Sequence, residues 1–370
     1  MTSKIKATAI NLGIFIIATA TVLLFAEFFV RMSLSNTEGV GEIILSPRNQ
    51  TDAQYGDFRL RRLRPDTEWW QTSRTAGAWK FSTNNKGFRN HNDFDYAKPE
   101  GTLRIMSLGD SQTQGYEVRQ DYTYSAAIEG YLTKKGYDVE VINTGVAGFG
   151  TAEELLFLEN EGIKYSPDVI VLGIFHNDFL DNIKSNLIQL EENGNLVTVN
   201  REYIPGVKIQ NFLYKLPFVD YLGQHSYLYH QFFNEVWMYF KKQFVQKSEE
   251  RASERTPPTD SKFSDYKIAL LDALVNRLYE FCQQNNIKLI VLDIPQPDNE
   301  RGGQWIIPTV PALLGESIAE NSDAYFSSEA LLADYTGVAQ MHVLENRHIS
   351  EFTHSILGVA AAKKIDSLFR

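Results

Sequence analysis

The triplet Gly109-Asp110-Ser111 closes the apolar run Ile105-Met106-Ser107-Leu108. A buried strand running out at such a triplet puts a hydroxyl at the carboxyl end of a sheet, the usual crevice of an open α/β fold. A serine that attacks an acyl carbonyl needs a base for its proton and donors for the developing oxyanion. Three later segments offer such groups. Asn143-Thr144-Gly145-Val146-Ala147-Gly148 contains glycines whose backbone N–H groups can face an anion without a side chain in the way. His176-Asn177-Asp178 follows another apolar run, so the Asn177 amide can reach the same crevice. Glu351-Phe352-Thr353-His354 brings a carboxylate and an imidazole together near the carboxyl end.

Each group also has a plain structural reading. Ser111, Asn177 and Asp178 are good helix caps. Gly145 and Gly148 suit turns, and His354 suits the first turn of a closing helix, with His348 as the next base in line. Asp110 is read as a brace for its loop through backbone hydrogen bonds, and His176 as structural. Asp181 and Asp293 are given no role.

The elements that must position these groups alternate cleanly over 102–182. Leu103 to Leu108, Val139 to Ile142 and Val169 to Phe175 read as strands. Tyr122 to Lys135 reads as a helix stopped by Gly136, and Thr151 to Glu161 as one N-capped by Thr151. The pattern returns with a helix over Tyr266 to Gln284, a strand over Leu289 to Ile294 and a closing helix over Ser355 to Phe369. Continuous apolar strands joined by helices imply a parallel sheet covered on both faces.

Outside this core, residues 35–100 read as a small β-rich appendage, with a strand near Trp79-Lys80-Phe81-Ser82 and a turn at Asn84-Asn85-Lys86-Gly87. Residues 183–262 interrupt the 101–370 domain as a helical insertion. Phe212 to Phe244 is crowded with aromatics and is read as packed on the main core, with a lid or a membrane-facing surface as alternatives. Gln246 to Lys262 is charged, contains Ser, Thr and Pro, and reads as mobile.

The amino end reads as an anchor. Ala7 to Val30 carries one charge, Glu27, and as a helix it can cross the roughly 30 Å hydrocarbon layer. Ala18-Thr19-Ala20 fits a cleavage site but lies in the middle of the run, so an uncleaved signal anchor is the better reading. Lys4 and Lys6 before the run, against Arg31 directly after it, assign the amino end to the cytoplasm and the rest to the outside, which in a bacterial-type cell is the periplasm. The formal net charge of −10 argues against a nucleic-acid partner. The local cluster Arg59, Arg61, Arg62 and Arg64 is read as a solvated or headgroup-facing strand edge. With Cys282 as the single cysteine and no histidine pair at ligand spacing, neither a metal nor another cofactor is expected.

The ordered set of serine, glycine, asparagine and histidine blocks resembles the SGNH (GDSL) hydrolase family over about 102–182 and 288–369. The resemblance implies a three-layer α/β/α flavodoxin-like sandwich around about five parallel strands. It implies Ser111 as nucleophile, Gly148 and Asn177 as oxyanion donors beside the Ser111 backbone, His354 as base and Glu351 as its orienting carboxylate. Three departures stand out. Phe175 occupies a usual Gly position, Glu351 a usual Asp position, and the His354–Gly358 spacing is one residue short. The anchor, the Gly87-Phe88-Arg89 segment and the core together are similar to membrane-anchored bacterial members associated with polysaccharide modification.

The expectation is therefore a serine esterase acting through an acyl-enzyme on O-acyl groups, O-acetyl above all, of an extracytoplasmic glycan or lipid-linked saccharide. An O-acetyltransferase would use the same residues, with a membrane partner supplying the acyl donor. The remaining alternative is a non-catalytic scaffold or glycan-binding subunit, favoured by the short His354–Gly358 spacing.

Overall fold

The computed structural model describes residues 2–35, 49–73, 77–229, 232, 236, 262–298, 305–335 and 348–370. Parts of the expected appendage (36–48, 74–76) and nearly all of Gln246 to Lys262 lie outside the described residues.

A long helix α1 (Thr2–Ser35) opens the chain. Its stretch Ile5–Ser33 is long and apolar enough to cross a membrane, and its large side chains are exposed. Two hairpins follow: β1 (Gln50–Tyr55) with β2 (Phe58–Leu63), and β3 (Glu68–Ser73) with β4 (Gly77–Ser82). The core begins with β5 (Leu103–Leu108), the short α2 (Ser111–Gln114), α3 (Tyr124–Lys134), β6 (Val139–Asn143), α4 (Thr151–Asn160), β7 (Val169–Ile174) and α5 (Asp178–Ser185).

The insertion supplies the hairpin β8 (Ile188–Leu190) and β9 (Leu196–Thr198), then β10 (Glu202–Tyr203), α6 (Val207–Leu213) and α7 (Val219–His225). The core resumes with α8 (Tyr266–Gln284) and β11 (Lys288–Asp293), and the short pair β12 (Gln296–Pro297) and β13 (Ile306–Ile307) follows. The chain closes with α9 (Ala312–Glu320), β14 (Ala324–Phe326), α10 (Ser328–Leu332) and α11 (Glu351–Phe369).

The five core strands are parallel, in the order β6-β5-β7-β11-β14. Numbered along the core this is 2-1-3-4-5, the flavodoxin-like order, whose switch point lies between β5 and β7. β5 and β7 are buried throughout because helices cover both faces. Ile105, Val171 and Leu292 pack with α3 and α11 on one side, while Met106, Leu172 and Val291 pack with α4, α8 and α9 on the other. The three-layer sandwich expected from the sequence is the architecture observed.

Four local readings change. The fifth strand, β14, was not read, because it is three residues long and half-buried along its length, with no continuous apolar run. α4 is capped at Gly150, one residue earlier than expected, where the Glu153 carboxylate accepts from the Gly150 N–H at 3.0 Å. α11 starts four residues early, at Glu351, with Ser350 as its N-cap. The insertion is not purely helical, and β10 pairs parallel with β2 of the appendage.

The appendage also closes the sheet edge. Asn90 donates to Val141 O at 2.8 Å and accepts from Asn143 N at 2.9 Å, taking the place of a neighbouring strand on β6.

Candidate active site

The loop after β5 is built so that Ser111 can stand at the switch point. Gly109 has φ +153°, and a Cβ there would overlap the Thr113 hydroxyl. Asp110 then caps α2 by accepting from Gln112 N at 2.8 Å, the bracing role read from the sequence. Gly115 ends the turn in the left-handed region at φ +70°.

The imidazole facing Ser111 is that of His348. Its Nε2 lies 2.9 Å from Ser111 Oγ, and its Nδ1 lies 3.2 Å from Glu117 Oε2. Both side chains are largely enclosed, His348 being 16% exposed and Glu117 4%. The imidazole also lies against the Tyr116 ring, with centroids 5.2 Å apart. Gln112 anchors the segment, its Oε1 accepting from Ile349 N at 2.9 Å.

This corrects the placement of two expected site residues. The early start of α11 turns His354 inward, where it is 1% exposed and its Nδ1 accepts from Tyr124 N at 3.1 Å. It thereby satisfies an orphan N–H in the first turn of α3. Burial first, and then the charges of Arg89 and His348, push its pKa down to about 3, so it stays neutral. Gly358, one turn on, lets α11 approach α3; a Cβ there would meet Ala127 Cβ at 2.6 Å. Glu351 turns away to Arg119, with contacts of 2.6 and 2.8 Å to the guanidinium and 3.1 Å to the backbone N–H.

Arg89 supports the Glu117 segment from beneath. Fully enclosed, its guanidinium donates to Gln114 O at 2.6 Å, to Gly115 O and to Val118 O at 2.6 Å. Burial lowers its pKa to about 9. The ring of Phe81 covers the cation, 4.2 Å from its centroid.

The amides of the 144–150 loop can be accounted for one by one. Thr144 N donates to Ser107 O, Gly145 N to Asn143 Oδ1, Val146 N to Gly109 O and Ala147 N to Gln114 Oε1. Phe149 N donates to Val146 O, and Gly150 N to Glu153. Among the described residues only Gly148 N in this loop takes no partner. Its φ of +82° suits glycine, and a Cβ would press on the Arg61 guanidinium at 2.9 Å.

Arg61 is a second correction. It is not a solvated edge residue but is 8% exposed, donating to Ala147 O at 3.4 Å and to Gly148 O, and pairing with Glu153 at 3.3 Å. Burial, only partly offset by Arg61, pushes the Glu153 carboxyl up to about 7.

Asn177 stands at the other side of the crevice, after β7. Its Nδ2 donates to Asp181 at 2.9 Å, and its amide lies beside Asp110, whose charged form it favours. It sits at the N-cap position of α5 without capping it; Asp178 makes the local bond, accepting from Phe175 N at 2.9 Å. Phe175 packs in the core with α3 and α11.

Burial pushes Asp110 up to about 6, opposed by the Gln112 N–H, by His348 and by Asn177. Glu154 and Asp178 are held well above the usual carboxylate range, by burial first and then by neighbouring carboxylates, Asp110 and Glu153 beside Glu154 and Glu154 and Asp110 beside Asp178.

The structure thus brings together Ser111, Asp110, Gly148 and Asn177 and leaves out His354 and Glu351. Sequence reading named His348 only as the second choice and missed Glu117, Gln112, Arg61 and Arg89 as supports. Nothing in local spacing points to Glu117, which lies 231 residues from His348.

No family model matches the chain. An arylesterase from Vibrio mimicus is 27% identical over 84 residues, which is 23% of this chain and 42% of that protein, so the chain matches less than half the length of that relative. Among solved structures, TesA is similar with TM-score 0.41 and 13% identity, over 72% of this chain and 100% of that one. A lipase/acylhydrolase from Enterococcus faecalis gives TM-score 0.39 and 14% identity over 72% and 97%. Axe2, an acetylxylan esterase from Geobacillus stearothermophilus, gives 0.39 and 13% over 71% and 94%. These scores are too low to carry the chemistry, which rests on the chain's own geometry.

Proposed function

We propose that this chain is a membrane-anchored serine esterase of the SGNH type, with Ser111, His348 and Glu117 as its relay. The carrying observation is the pair of contacts on one imidazole, 2.9 Å to Ser111 Oγ and 3.2 Å to Glu117. A base held by a carboxylate on one ring nitrogen and facing a hydroxyl with the other is the arrangement that activates a serine.

In this reading the proton of Ser111 passes to His348 Nε2 as Oγ bonds to the ester carbonyl carbon. Glu117 accepts from Nδ1–H and stabilises the imidazolium. The N–H groups of Ser111 and Gly148 and the Asn177 amide receive the oxyanion. The carbon–oxygen bond to the alcohol then breaks, and the leaving alkoxide takes the proton from His348. Water, deprotonated by the same imidazole, adds to the acyl-serine, and its collapse frees the acid and restores Ser111.

The substrate proposed is an O-acyl group, acetyl above all, on an extracytoplasmic glycan or lipid-linked saccharide. The apolar helix α1 and the lysines before it support that location. The local likeness to an arylesterase accords with ester cleavage. The scaffold reading loses its main support, since it rested on the spacing of His354, which does not face Ser111.

A fluorophosphonate probe tests the assignment. Labelling that disappears in Ser111→Ala and collapses in His348→Ala is expected; undiminished labelling in Ser111→Ala overturns it. Incubation with an O-acetylated oligosaccharide, following free acetate against acetyl transfer to a second glycan, separates hydrolysis from transfer.

A further inference from the structure

We infer that the insertion helices α6 and α7 lie on the outer surface of the bilayer, with Phe212, Leu216, Phe218 and Tyr221 set at the headgroup level. The inference rests on reading α1 as a membrane anchor.

The depth is set by α1 itself. Lys6 and Glu27 bracket the residues 7–26. Twenty helical residues rise about 30 Å, the thickness of the hydrocarbon layer. Glu27 thus falls at the outer boundary, where a charge is tolerated only with partners.

Its partners come from the insertion. Glu27 accepts from Ser226 Oγ at 2.8 Å, Tyr227 N at 3.0 Å and Leu228 N at 2.9 Å. Arg31, paired with Glu27 at 2.7 Å, donates to His225 O at 2.6 Å and lies over the Tyr227 ring, 4.7 Å from its centroid. Residues 225–228 are therefore held where α1 leaves the bilayer.

The neighbouring helices show water what a soluble surface avoids. Phe212 is 65% exposed, Phe218 77%, Tyr221 62% and Leu216 45%. Phe218 adopts a left-handed φ of +66°, which a bulky residue seldom takes. The chain keeps a phenylalanine where glycine or asparagine would sit without strain, and its ring points out. Other parts of these helices are committed to the protein: Val207 is buried, Asn211 donates to Asp52 on β1 at 3.2 Å, and Gly223 lies against the Tyr214 hydroxyl.

Aromatic and aliphatic side chains on two short helices and the turn between them, at the exit level of a spanning helix, match the interfacial belt of membrane proteins. A bilayer is favoured over a second copy of the chain because α1 forces this face to lie beside lipid whatever the oligomeric state. The sheet of β1, β2 and β10 links these helices to Arg61 under the Gly148 loop. Docking would therefore set the height of the crevice above the membrane.

The test uses the full chain in vesicles of phosphatidylethanolamine and phosphatidylglycerol. Bimane is attached to variants that each carry one added cysteine, Phe218→Cys, Tyr221→Cys, Leu23→Cys on α1, or Lys363→Cys on α11; Cys282 is buried and stays unlabelled. Lipids carry a nitroxide either near the headgroup or deep in the acyl chain. The shallow nitroxide is expected to quench the 218 and 221 labels about twofold or more, and to leave the 363 label bright. The deep nitroxide is expected to quench the label at 23. Labels at 218 and 221 as bright as that at 363, with 23 quenched, overturn the inference and leave the anchor standing. Bright labels, together with disulfide-linked dimers of the unlabelled Phe218→Cys variant under mild oxidation, overturn it in favour of a second copy. A label at 23 untouched by deep nitroxide overturns the anchor and the inference together.

Discussion

The Gln112 side chain accepts a hydrogen bond from the Ile349 N–H at 2.9 Å, tying the residue after Ser111 to the residue after His348. Ser111 and His348 thus belong to two segments that this buried bond helps to join, although they lie 237 residues apart in sequence. Their distance is set by this tie and by the Ser350 cap below it.

Gln112→Leu should loosen the imidazole without removing it. The Ile349 N–H would be left buried and unpaired, at a stability cost of about 1–3 kcal/mol. Misplacement of a catalytic group by an ångström can cost about 100-fold, so kcat should fall roughly 10–100-fold with little change in KM. Steady-state kinetics on a soluble acetyl ester, with a parallel denaturation curve, checks both numbers.

Two histidines should respond in opposite ways. His348→Ala should lower kcat by roughly 10²–10⁴, the range for loss of a general base, while unfolding stays near that of the parent. His354→Gln should spare kcat within a few-fold but lower stability, since Tyr124 N depends on that ring. A larger rate loss in His354→Gln than in His348→Ala would reverse the assignment.

The same residue gives a pH signature. Folded His354 titrates near 3, below the roughly 6.5 of an unfolded histidine. Between those values the unfolded chain binds a proton that the folded chain refuses, so this contribution to stability falls as pH drops from about 6.5 towards 3. His354→Gln lacks that proton uptake. The stability gap between parent and variant should therefore narrow by roughly 2–3 kcal/mol between pH 7 and pH 4.5, as read from denaturant unfolding. A gap that stays constant would mean the ring is not held neutral.

Glu117→Gln keeps the shape of the side chain and removes its charge. The imidazolium formed during attack would lose its counter-ion, and kcat should fall roughly 10²–10⁴-fold. Glu351→Gln, by contrast, breaks only the partly exposed pair with Arg119, and turnover should remain near that of the parent. Equal losses in the two variants would show that the carboxylates had been assigned the wrong way round.

Asn177→Ala removes one oxyanion donor. Its effect should fall on kcat, by roughly 10²–10³, with folding little changed. Parental turnover in this variant would remove Asn177 from the oxyanion site.

Most of the fold was legible in the chain. The runs that became β5, β7 and β11 are mostly apolar because both their faces are covered, and α8 was bounded to the residue. β14 escaped because a three-residue edge strand leaves no period to read. The Ser111, Gly148 and Asn177 blocks were visible because each sits where a strand ends. His354 was misplaced by a single boundary: with the helix starting at Glu351, position 354 faces α3.

The amino-acid sequence by itself determined the layers, the long apolar amino-terminal helix and the hydroxyl, since those follow from local periodicity and from short turns. Only the tertiary structure decided which imidazole meets Ser111, which carboxylate holds it, and that Arg61 and Arg89 brace the loops from below. These are contacts between segments distant in sequence. They are fixed by helix starts and side-chain directions that no local pattern encodes.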